Sequence, residues 1–131
     1  MLSKIGCGIV TLKITKDFTG YIHVEGDVDV LVRFLKCLSK SFGESDDISD
    51  TLRILNNFDV FYSMLKRKFK DYIAPRKSER DLILGKVVVD KVKLIRNAER
   101  RAIIVLDKRV SQRAIINLLK EMNLEFEASN I

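Results

Sequence analysis

The chain has 131 residues, of which 47% are hydrophobic and 32% charged, with a formal net charge of +6. This is the length of one domain, with enough apolar residues for a single core and too many for a disordered chain. No apolar run approaches the roughly 18 residues needed to span a bilayer.

The opening stretch `MLSKIGCGIVTLKIT` carries Lys4 and Lys13 and alternates as a strand does, without the apolar centre of a signal peptide. A cytoplasmic protein of one domain over 1–131 is the expectation. One Gln, one Pro and abundant Ile, Leu, Val, Lys and Arg give a thermophile-like composition. Cys7 and Cys37 lie thirty positions apart, and His23 is the only histidine. A zinc site wants about four ligands, so both cysteines read as small buried hydrophobes. No metal or other cofactor is expected. `GCG` at 6–8 has neither the length nor the following helix of a phosphate loop.

From residue 12 the pattern is strand, polar turn `TKDFTG`, strand, Asp27, then helical spacing to Gly43. Asp27 stands where a helix cap belongs. The helix over 28–42 would bury Val30, Leu31, Phe34, Leu35 and Leu38. Ser49 or Asp50 can cap a long helix over about 50–73, with Leu52, Leu55, Phe58, Tyr62, Leu65, Phe69 and Tyr72 stepping by three and four. Ile54, Phe61 and Met64 widen that stripe beyond what one sheet face requires, which points to a homodimer through the 52–72 helix. Pro75 stops it, and `RKSERD` reads as a loop.

Strands follow near 86–96 and 100–106, joined by `RNAE`. Asp107 caps a helix over 109–122, and `LEFEA` at 124–128 can add an edge strand. Residues 12–40 laid over 92–120 without gaps repeat the same order, with Leu12 on Val92, Val24 on Ile104, Asp27 on Asp107 and Leu38 on Leu118. The expected fold is therefore α+β: two β-hairpin–helix units, related by a possible internal repeat at offset 80, forming an antiparallel sheet of four to five strands with a long central helix.

Charge is distributed unevenly along this plan. Residues 1–64 hold seven basic and nine acidic side chains, residues 65–113 sixteen and six, and residues 114–131 one and three. A cationic segment of this kind favours a polyanionic partner. The candidate nucleic-acid-binding residues are Arg76, Lys77, Arg80, Lys91, Lys93, Arg96, Arg100, Arg101, Lys108, Arg109 and Arg113.

If Val92, Leu94, Ala102 and Ile104 face the core, the outer face of the second hairpin shows Lys91, Lys93, Ile95, Arg101, Ile103 and Val105. The first hairpin shows Thr11, Lys13, Thr15, Tyr21, His23 and Glu25, an ordinary solvated surface. No nucleophile motif accompanies His23. The acidic stretches `GESDD` and `EGDVD` lack calcium-loop spacing and suit helix N-termini. The expected function is thus non-catalytic binding of nucleic acid on the second hairpin and the following helix start. The alternative is a protein-interaction subunit or assembly factor, whose partner would bury Ile95, Ile103 and Val105. Absence of aromatics from the second hairpin counts against a reader of single strands.

Overall fold

A computed structural model describes residues 12–130. Strand β1 (Leu12–Lys16) turns at Asp17–Gly20 into β2 (Ile22–Asp27), which runs straight into helix α1 (Val28–Phe42). Helices α2 (Asp46–Asn56) and α3 (Phe58–Arg67) follow, then the two-residue strand β3 (Tyr72–Ile73) and the short helix α4 (Glu79–Leu84). The second hairpin is β4 (Val89–Arg96) and β5 (Arg100–Leu106), followed by α5 (Gln112–Glu121) and β6 (Phe126–Asn130).

The strands form one sheet in the order β3-β4-β5-β2-β1-β6. The α+β class holds, but the sheet has six strands and is mixed, because β6 pairs parallel to β1. The other four pairings are antiparallel.

Both hairpin–helix units are present, joined through their second strands. Val24 faces Ile104 across that seam, so residues eighty apart pair with each other, and a local pseudo-twofold passes between them. The ungapped offset fails on the outer strands. Ile14 faces Val24, but its counterpart Leu94 faces Ala102 and not Ile104. The first turn is two residues longer, and the register absorbs the difference.

Alternation decides which side chains meet the helices. Leu12, Ile14, Ile22, Val24, Val92, Leu94, Ala102, Ile104 and Leu106 are buried on one face. Against them lie Leu31, Phe34, Leu35 and Leu38 of α1, Ile48, Ile54 and Leu55 of α2, Phe58 and Leu65 of α3, and Ile115, Leu118 and Leu119 of α5. The four longer helices therefore share one side of the sheet. Gly26 marks how tightly this layer closes, because a Cβ there would collide with Leu12 Cδ2.

Three expectations about the helices change. The long helix is two helices, broken at Asn57, which leaves helical geometry at φ −119° and ψ 42°. Its stripe is divided accordingly. Ile54, Leu55, Phe58 and Leu65 are buried, Leu52, Phe61 and Tyr62 pack partly against the core, and Tyr72 belongs to a strand. Much of the surplus that argued for a homodimer is thus taken up within the chain, but Phe69 of that stripe stands exposed.

Asp107 does not cap α5. Ser111 does, accepting from the N–H of Ala114, while Asp107 accepts from the N–H and Nε of Arg109 in the preceding turn. The segment expected as the loop `RKSERD` runs into α4, whose cap Ser78 accepts from the N–H of Asp81. Cys37 is half-buried, while Cys7, Thr11 and `GCG` lie outside the described residues.

Candidate nucleic-acid interface

With the four longer helices on one side, the opposite face of the sheet presents the other alternation set. Pairing fixes its rows. Tyr72, Lys93, Ile103, Glu25 and Lys13 lie side by side from β3 to β1, and Lys91, Val105, His23 and Thr15 form the next row. Ile95, Arg101 and Asp27 make a third. Val105 differs from expectation. It is only 1% exposed, on an inner strand between the longer side chains of Lys91 and His23, so it offers no surface for a partner.

The basic segment does not make one patch. Arg96 and Arg100 sit at the β4–β5 tip, and both bond Asp59 on α3, at 2.8 Å and 2.7 Å. They line an open cleft of about 770 Å³ between that tip, the start of α1 and the α2–α3 break. The cleft also holds Asp27, Asp29, Asp59 and Glu99, so its charge is not that of an anion site. Arg101 is on the open face but bonds Asp27 at 2.7 Å and approaches Glu25 at 3.8 Å.

Six strand steps away, about 20 Å, lie Lys108 and Arg109. Arg109 is held by Asp107. Arg76 lies 3.8 Å from Asp50, and the Lys77 ammonium donates to the carbonyls of Pro75 and Asp90. Arg80 on α4 and Arg113 on α5 are exposed to solvent.

Lys91 and Lys93 are different. No carboxylate pairs with either among the described residues, and both ammonium groups approach the Tyr72 ring, at 4.5 Å and 5.9 Å from its centroid. Lys108 likewise stands 5.6 Å from the ring of Tyr21, which alternation places on the side of His23 and Glu25. The half-exposed aromatics missing from the second hairpin are thus supplied by neighbouring elements. Tyr72 was legible as a strand residue only through `YI` before Pro75, and the helical stripe masked it. Alternation puts Tyr21 on this face, but nothing in the sequence puts a cation beside it.

His23 is not a freely solvated histidine. Its Nε2 meets Asp17 Oδ2 at 2.9 Å, and Asp17 also accepts from the Thr19 hydroxyl and from the N–H groups of Thr19 and Tyr21. The Thr19 and His23 bonds hold the Asp17 carboxyl far below the usual carboxylate range. Asp17 is occupied in shaping the hairpin turn, and among the described residues no serine or cysteine nucleophile adjoins His23 in its small hollow, lined by Lys13, Thr15, Asp17, Glu25 and Ile103.

Among the described residues no group of three or more His, Cys, Asp or Glu could hold a metal ion, and no helix is long and apolar enough to cross a membrane. No family model, curated protein or solved structure matches the chain.

Proposed function

We propose that the protein binds nucleic acid without catalysis, on the open sheet face at the β3–β4 side. The observation that carries this reading is the cluster of Tyr72, Lys91 and Lys93. Two cations without carboxylate partners among the described residues are a standing attraction for phosphates, whereas Arg96, Arg100, Arg101 and Arg109 would first have to leave Asp59, Asp27 and Asp107. A Tyr ring supplies a flat apolar surface next to them, and a base stacks on such a ring whatever its sequence. Ile95 and Ile103 extend the apolar ground. The proposed contact set is therefore narrower than the basic segment as a whole.

Titrating oligo-dT, oligo-U and a duplex across a salt series tests it. Affinity should fall linearly on log–log axes, and the double change Lys91→Ala with Lys93→Ala should flatten the slope by roughly 0.7–0.9 for each phosphate no longer neutralised. Arg96→Ala with Arg100→Ala should change affinity far less.

One observation favours a second reading. Leu82, Ile83 and Leu84 on α4 are 50%, 76% and 54% exposed, an apolar ridge suited to a protein partner. Absence of binding to any nucleic acid near about 50 mM salt, where phosphate contacts are strong, would transfer the function to such a partner.

A further inference from the structure

Three helices end with the same backbone device. At the end of α4 the N–H of Lys86 bonds the Asp81 carbonyl and that of Gly85 bonds Leu82, with Gly85 at φ 69°. At the end of α5, Leu124 bonds Leu119 and Asn123 bonds Lys120, with Asn123 at φ 57°. At the end of α3, Lys70 bonds Leu65 and Phe69 bonds Lys66, with Phe69 at φ 54°. This is the Schellman closure, whose left-handed position goes to Gly and sometimes Asn. Gly85 and Asn123 obey that preference. Phe69 does not.

The ring gains nothing in the free protein, for it is 97% exposed. At α5 the residue after the left-handed position, Leu124, packs against the core, whereas at α3 that place is taken by Lys70. Its neighbours along the chain are Lys66, Arg67, Lys68 and Lys70. Among the described residues none of the four is in an ion pair, and Lys66 lies 5.3 Å from the Tyr62 ring. An exposed aromatic held in a disfavoured conformation and flanked in sequence by cations matches one chemistry above others: a planar base carried on a phosphate chain.

We infer that Phe69 is a base-stacking finger for single-stranded nucleic acid, continuing the path that begins on the open face. The inference rests on the open-face reading and narrows it to unpaired strands. Phe69 precedes Tyr72 by three residues, so their Cα atoms are at most about 10 Å apart. A strand reaching the edge strand β3 meets Tyr72, and Phe69 lies on the short segment that joins α3 to that edge. A duplex keeps its bases stacked inside and offers the ring nothing to insert against.

The test uses the fact that the chain has no tryptophan. Phe69→Trp introduces a single reporter, whose emission should be quenched by oligo-dT and oligo-U and far less by a duplex. Phe69→Gly should raise Tm by a few degrees, since Gly takes the left-handed position without strain. The same change should weaken oligo-dT and oligo-U binding about ten- to hundredfold. Phe69→Leu should lose binding without gaining stability, which separates stacking from general greasiness.

Wild-type affinity retained by both Phe69→Gly and Phe69→Leu overturns the finger and leaves the open-face reading standing. So does a wild type that prefers the duplex. A wild type that binds none of the three probes overturns the open-face reading itself.

Discussion

Four aspartates carry pairings that acid will undo. Thr19 and His23 hold Asp17 low, and the Arg100 guanidinium holds Asp59 low. At Asp50 and Asp107 burial pushes the carboxyl up. The N–H of Arg76 with the Arg53 guanidinium, and the two bonds from Arg109, outweigh it, so both are held below the ordinary value. Each is thus a stronger acid folded than unfolded. The stability this gives is complete above the unfolded value of about 4 and is lost as pH falls through the folded one. Denaturant midpoints should be flat from neutrality down to about pH 5 and decline below pH 4. A midpoint that rises on acidification would contradict these pairings. Of such details the sequence exposed some and concealed others. The parity of Val92, Leu94, Ala102 and Ile104 could be read from alternation, because burial repeats every second residue. The partners of Arg96, Arg100 and Arg101 could not, since Asp59 and Asp27 lie 37 to 74 positions away along the chain.

Between elements, the α2 N-terminus is latched to the second hairpin by one side chain. Asp47 is fully buried, and its Oδ2 accepts from the N–H groups of both Val88 and Val89 as the chain enters β4. Those amides have no water to turn to, so Asp47→Ala should cost about 2–4 kcal/mol in urea unfolding. Asp47→Asn, which keeps an acceptor oxygen, should cost less. A loss below about 0.5 kcal/mol for Asp47→Ala would mean the latch is replaceable. Helix α1 was legible to the residue because Asp27 and Gly43 stand at its ends, although the Asp27 carboxylate accepts from Arg101 and makes no bond to the first turn. The α2–α3 break was not, because the three- and four-residue spacing runs through Asn57 unchanged while the backbone there leaves helical geometry. Helix α4 did carry a signal, Ser78 with an acid three residues on and Gly85 after it, but the segment is short and charged enough to pass for a loop.

At the scale of the whole sheet, strand order was the least legible feature. Neighbours within a hairpin follow from a short turn, but the seam of β2 with β5 and the parallel docking of β6 on β1 join segments with no local code. Only the existence of an edge strand near 124–128 could be read. That strand has a stabilising role that can be measured. It covers β1 along the register from Leu12–Phe126 to Lys16–Asn130, with Leu124 and Phe126 packed partly on the core. Deleting residues 124–131 should strip this cover and give concentration-dependent aggregation in light scattering. A truncated chain that remains monomeric and unfolds cooperatively would show β6 to be dispensable.

The same pairing sets an order of events during synthesis. β1 is synthesised well before its parallel neighbour, which follows only after roughly 110 further residues, some 5–20 s at ordinary elongation rates. Through that interval the first hairpin can form with α1, but one row of its backbone donors and acceptors waits without its native neighbour. A nascent chain is most vulnerable to pairing with its siblings in this window, and slow translation of the segment between β1 and β6 would lengthen it.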